Sequence, residues 1–170
     1  MNTDYLPFNK EAEECVIASI LINPSCIVDI MEVLSEEDFY QYCNRIIYRA
    51  IVELDSTRQP IDPMLVVQKL TAMDALADAG GIGYIMDIAH NVSSSRNVLA
   101  YAKFVKDKSR EREMLNIAQA MKDEIITSEY DTDTKINNAL ALPLAIEHGE
   151  KQERETVSFL KEALKDLTDR

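Results

Sequence analysis

Apolar residues recur at intervals of three and four along most of the chain, and the polar residues between them supply start and stop signals for helices. Val16, Ile17, Ile20 and Leu21 form the first stripe, the buried face of an amphipathic helix. Asn9 stands at the cap position, and Glu11, Glu13 and Glu14 fall in the first turn, where carboxylates favour the positive end of the helix dipole. Asn23-Pro24 ends this helix, and Ser25 opens a second, short one through Ile27, Ile30, Met31 and Leu34. Ser35-Glu36-Glu37-Asp38 reads as a capping box with Asp38 in the place usually held by Glu or Gln. A third helix is expected from Phe39 to Leu54, with Tyr40, Cys43, Ile47, Ala50, Ile51 and Leu54 inward. After the polar break at 55–60, Asp62 caps a fourth helix and Pro63 takes its first position, where the missing N–H costs nothing. That helix runs to about Met73 on Leu65, Val66, Val67 and Leu70. Gly80-Gly81 marks a turn with unusual backbone angles. A short helix spans Tyr84 to His90, and Ser93-Ser94-Ser95 caps the next.

That next helix is long. From Arg96 to Ile126 no Gly or Pro interrupts the pattern. Its two ends are amphipathic, while residues 106–113 are polar in succession, the mark of a solvated helix that bridges two packed bodies. A polar turn from Thr127 to Thr134 and a return helix from Ile136 to Ile146 would complete an antiparallel hairpin. The expected fold is therefore all-α: a globular multi-helix head at 1–105, a projecting hairpin at 106–147, and a hinge with a terminal linker helix at 148–170. A hairpin of two thin helices cannot cover Met114, Leu115, Ala118, Met121, Ile125, Ile136, Leu140 and Leu144. These residues are candidates for an interface between copies. Val157, Leu160, Leu164 and Leu167 line one face of the last helix, which is too short to be stable alone and must dock, on a neighbour or back on its own hairpin.

Charge changes the picture. Thirty acidic against eighteen basic side chains leave −12, and residues 1–100 hold fifteen acids and six bases. Such a surface repels a phosphate backbone and suits a basic protein partner. No direct nucleic-acid binding is expected. No apolar run reaches the roughly 18 residues of a membrane span, so no membrane partner is expected. Three unclustered cysteines, Cys15, Cys26 and Cys43, fit a reducing compartment, hence a cytoplasmic protein. Catalytic chemistry finds no support. Gly80, Gly81 and Gly83 lack the lysine and spacing of a phosphate loop. His90 and His148 have no ligand-spaced companions. Asp131-Thr132-Asp133 lacks the glycine and glutamate of a calcium loop and reads as a polar turn. The acids at 11–14 and 36–38 read as first-turn residues. Lys103, Lys106, Lys108, Arg110 and Arg112 alternate with Asp107, Glu111 and Glu113 and read as a solvated face. No catalytic, cofactor or metal site is expected in this chain.

Six short motifs stand in order: Leu6-Pro7 with Ala12-Glu13; Glu37-Asp38-Phe39-Tyr40; Arg45-Ile46-Ile47-Tyr48; Pro60-Ile61-Asp62; Gly80-Gly81-Ile82-Gly83-Tyr84-Ile85; and Asn97-Val98-Leu99-Ala100-Tyr101-Ala102. Each is weak alone, but their order and spacing over residues 6 to about 126 resemble the N-terminal domain of DnaB-type replicative helicases. The resemblance implies a collar that pairs into dimers, three of which form a ring above a hexameric motor. It implies primase and helicase loader as partners, and a linker helix docked on the adjacent subunit's ATPase domain. ATP and Mg would belong to the motor domain, absent here, of an ATP-dependent 5'-3' DNA helicase. Cys43-Asn44 replaces a histidine common in the family, Arg58-Gln59 replaces the usual glycine near Pro60, and Asn91-Val92 lacks a frequent proline. Pro143 falls within the return helix, where it would kink or shorten it. Such drift suggests a phage or plasmid version. Two other readings remain open: a free-standing regulator imitating the collar, and the helicase-interaction domain of a primase.

Overall fold

Asn9 caps the first helix: its Oδ1 accepts the Ala12 N–H at 2.9 Å, and α1 spans Lys10–Ile22. The computed structural model describes residues 6–91 and 97–141, and among them every regular element is helical. Pro24 stops α1 and begins a single 3-10 turn, Pro24–Cys26, ahead of the short α2 (Ile27–Met31). Ser25 lies inside that turn, its hydroxyl donating to Asn23 Oδ1 at 2.7 Å, and does not open a helix. Asp62 and Pro63 act as expected. Asp62 Oδ1 accepts the Leu65 N–H at 2.9 Å, and α4 spans Pro63–Ala72.

The third helix starts later than the pattern predicts. Asp38 does accept the Ser35 N–H at 2.8 Å and its hydroxyl at 3.2 Å, but this box closes a 3-10 turn, Glu36–Asp38. Phe39 then leaves helical geometry (φ −78°, ψ 124°), and α3 spans Tyr42–Ser56. The reason is a competing acceptor. The Tyr40 and Gln41 N–H groups donate to the Glu13 carboxylate of α1, at 2.8 and 3.2 Å, so extended backbone there leaves no donor unmet. Phe39 is fully buried beside Tyr48, ring centroids 4.7 Å apart, whereas Tyr40 is exposed and Cys43 half-buried.

Three turns use left-handed residues. After α3, Arg58 has φ 54°; after α4, Asp74 has φ 55°; ahead of α5 (Gly81–Asn91), Gly80 has φ 86°. At each, the left-handed residue donates three residues back and its successor five residues back: Arg58 to Asp55 and Gln59 to Leu54, Asp74 to Thr71 and Ala75 to Leu70, Gly80 to Ala77 and Gly81 to Leu76. That pair of bonds is the Schellman closure, which at Arg58 and Asp74 satisfies orphan carbonyls at the ends of α3 and α4.

In the core, α1 packs on α5 and α3, α3 on α4, and α4 on α5. Val98, Ala102 and Val105 of α6 (Val98–Thr127) join the same buried cluster as Ile17, Ile47 and Leu70. The chain divides between Arg112 and Glu113 into two compact units. Lys106 and Arg112 bond within the first unit. In the second unit, the described residues comprise the end of α6 and a helix, α7, over 132–141. Asp131 caps α7, with Oδ1 accepting the Asp133 and Thr134 N–H groups at 3.1 Å each. The return helix therefore starts before Ile136. Lys135 donates to the Ile125 carbonyl at 3.2 Å and Asn138 to Glu124 Oε1 at 3.0 Å, tying α7 to the end of α6. Pro143 and the Ser93–Ser95 cap lie outside the described residues.

Candidate interaction surfaces

The described part of the second unit, residues 113–141, has almost no interior. Among its described residues, Ala139 is the single buried hydrophobic side chain. Met114 (69% exposed), Leu115, Ala118, Ile125, Ile136 and Leu140 face solvent, and Met121 is half-buried. Leu144, and Val157, Leu160, Leu164 and Leu167 of the expected linker helix, lie outside the described residues. Two further exposed side chains, Ile126 and Tyr130, fall off the three-and-four stripe and so escape a periodicity reading. Ile126 was nonetheless legible as a bulky apolar neighbour of Ile125 on a helix without enough cover.

The first unit contains a polar node that a reading of first-turn acids misses. Glu13 is 1% exposed. Besides the two backbone N–H groups it accepts Asn44 Nδ2 at 3.0 Å. Asn44, itself buried, accepts the Tyr84 hydroxyl at 2.8 Å. The node thus joins α1, α3 and α5. Burial pushes the Glu13 carboxyl above its usual 4.5, against the opposing pull of its three donors and the Arg112 charge. Asp38 is also buried, and Lys106 of α6 reaches both its oxygens at 3.1 Å. Arg112 donates to the Asp38 carbonyl at 2.6 Å and the Pro7 carbonyl at 2.9 Å. Its guanidinium lies 5.5 Å from the Tyr40 ring centroid, and Tyr40 stacks on Phe8 at 4.6 Å. Lys106 and Arg112 are therefore not part of a solvated face; Lys108, paired with Glu111 at 2.8 Å on the surface, is. The Cys43-Asn44 pair thus has a use here: Asn44 supplies both a donor and an acceptor to the node.

Other candidate chemistry resolves into structure. Among the described residues no cluster of three His, Cys, Asp or Glu side chains could hold a metal ion. Cys15, Cys26 and Cys43 are free thiols, and burial raises the pKa of Cys15 and Cys26. His90 Nδ1 lies 2.6 Å from the Met86 carbonyl one turn back. No single described helix is long and apolar enough to cross a membrane.

A third surface is an open groove of about 540 Å³ between the end of α2, the Glu36–Asp38 turn and α3. Met31, Leu34, Tyr48 and Val52 form its floor, and Glu36, Glu37, Arg49 and Glu53 its rim.

Comparison with known proteins places this architecture. The model of the DnaB-like helicase N terminal domain matches residues 5–107. The Replicative DNA helicase DnaC of Bacillus subtilis is 33% identical over 139 residues, 82% of this chain and 31% of the relative. The Replicative DNA helicase DnaB of Geobacillus stearothermophilus is 29% identical over 78% of this chain and 29% of the relative. The chain thus spans about a third of the length of these relatives. The N-terminal domain of DnaB helicase from Mycobacterium tuberculosis superposes with a TM-score of 0.77 at 24% identity, covering 82% of this chain and 99% of that one. A DnaB-like replicative helicase, solved in a study of its interactions with primase, gives 0.67 at 25% identity over 81% of this chain and 31% of that one. With most of the chain matched to that family model, the protein belongs to the DnaB-like helicase N-terminal domain family.

Proposed function

We propose that this chain is the non-catalytic collar of a replicative DNA helicase, a platform that brings copies together and receives primase and a helicase loader. One observation carries the reading: residues 113–141 leave Met114, Leu115, Ile125, Ile126, Ile136 and Leu140 in solvent while burying Ala139. Burying a large apolar side chain is worth about 1.5–3 kcal/mol, so these surfaces favour a second copy. In this account the copies pair into dimers, three dimers make the ring, and the linker helix of 148–170 docks on the neighbouring subunit's ATPase domain. ATP and Mg act in that motor domain, not in this chain, and the setting is the cytoplasm, in a phage or plasmid version of the system.

Primase contact is supported by family membership and by the excess of fifteen acids over six bases in residues 1–100. The test is calorimetric titration of the chain with primase from the same genome. Heat should appear at micromolar concentrations and weaken several-fold between low and high salt, because rim charges are screened. Absence of heat at those concentrations refutes the primase assignment.

A further inference from the structure

We propose that the groove between α2 and α3 is a docking site for a basic amphipathic helix of a partner protein. The floor is apolar: Leu34 and Tyr48 are buried, Val52 is half-buried and Met31 is 44% exposed. Its polar atoms are already paired, since the Tyr48 hydroxyl donates to the Leu34 carbonyl at 3.0 Å. A ligand therefore gains little there by hydrogen bonding and much by inserting side chains. Val28, 61% exposed, precedes Met31 by one turn on α2 and adds a second uncovered apolar side chain on that helix. No strand occurs among the described residues, so no sheet edge is present there to take an extended peptide. A helix laying side chains at i, i+3, i+4 and i+7 into the groove is the mode that fits.

Charge selects the occupant. The lining carries three carboxylates, Glu36, Glu37 and Glu53, against the single guanidinium of Arg49. Arg49 is already held by Glu36 in a two-bond pair at 2.7 and 2.8 Å. Lys69 pairs with Glu53 at 2.7 Å. Glu37 is exposed. With Glu36 and Glu53 so paired, one carboxylate, Glu37, is in excess at the rim, and a helix that sets Lys or Arg beside it meets the groove favourably. A second copy of this chain, at −12 overall, does not. This site is separate in sequence from residues 113–141 and does not depend on their role.

The probe is a fluorescein-labelled 16-residue peptide with leucines on one helical face and lysines on the other. It is titrated by anisotropy against the full chain, beside a glutamate-for-lysine version and a scrambled version. The basic amphipathic peptide should bind at least tenfold more tightly than either control and weaken at least fivefold from low to high salt. Glu37→Lys and Val52→Arg, each checked for native circular dichroism, should each weaken it about tenfold, and Asp107→Lys, a charge reversal at an exposed position outside the groove lining, should leave it unchanged. Should Val52→Arg unfold the chain, Met31→Ala at its exposed position takes its place. The proposal is overturned by absence of binding, by equal binding of the acidic or scrambled peptide, or by indifference to the groove variants. It is also overturned if those variants lower the chain's own mass in solution, which would make a second copy the occupant.

Discussion

Replacing Arg112 by methionine isolates the contacts that pin the middle of α6 to the first unit. The side chain keeps its apolar stem and loses its charge, its two bonds to the Asp38 and Pro7 carbonyls, and its position over Tyr40. Hydrogen bonds from a charged donor contribute about 1.5–3 kcal/mol each, and the cation–π contact about 0.5–1 kcal/mol. Two effects reduce the sum. Burial disfavours the Arg112 charge and holds its pKa below the usual arginine range, and both carbonyls can rehydrate because the site is only half-buried. A net loss of about 2 kcal/mol follows. At about 2–4 °C per kcal/mol for a chain of this size, Tm falls by about 4–8 °C. Urea and thermal melts at fixed protein concentration measure it. Arg110→Met serves as the control: Arg110 is exposed on the same helix, and its replacement should stay within about 0.5 kcal/mol. If Arg112→Met is as silent as Arg110→Met, these contacts do not hold α6, and residues 106–113 are a solvated face after all.

Four further substitutions test the turns and the buried carboxylate. Gly80→Ala should destabilise by about 2 kcal/mol or more, because φ is 86° and a Cβ would stand 2.9 Å from the Tyr84 ring. Gly83→Ala, with nothing within 4 Å on the exposed face of α5, should instead stabilise by about 0.5–1 kcal/mol; equal effects in urea melts would contradict both. Arg58→Gly relieves a left-handed residue (φ 54°) and should raise stability by up to about 1 kcal/mol, a gain that disappears if the turn is not left-handed in solution. Glu13→Gln leaves donors facing an amide donor and should cost about 1–3 kcal/mol. It should also alter the pH profile. The folded Glu13 pKa lies above 4.5, so the native state binds its proton more tightly, and stability falls as pH rises from 4.5 through that folded value. Glu36 and Asp131 are shifted down by Arg49 and by Thr134 and act oppositely, losing their contribution as pH falls below their usual values. The glutamine variant should keep that acid-side loss and lack the decline above pH 4.5. An unchanged profile would remove Glu13 from the account.

How much of this was written in the chain depends on the range of the interaction. Caps and stops are local, so Asn9, Pro24, Asp62 and Gly80 could be read directly and stand where the pattern puts them. The exposed arm residues were legible for a related reason: a stripe on a thin helix declares its own lack of cover. The delayed start of α3 was not legible, because its cause sits 27 residues earlier, in the Glu13 carboxylate that takes the Tyr40 N–H. Nor was the pinning of α6, whose partners Asp38 and Pro7 are 74 and 105 residues away from Arg112. Charge alternation looks alike on a solvated helix and on one that turns two of its cations inward. Arg58-Gln59 was visible as a departure near Pro60, and the positive φ of Arg58 shows a backbone position that glycine would suit.

Self-association through residues 113–141 is tested most directly by light scattering with Met114 and Ile125 both replaced by glutamate. These side chains are 69% and 52% exposed within one chain, so charging them costs the isolated fold little. The wild-type chain should show the mass of a dimer or larger, and the double variant that of one chain with an unchanged helical spectrum. A wild-type mass of one chain at high concentration, or a variant mass equal to a multimeric wild type, would contradict the collar account.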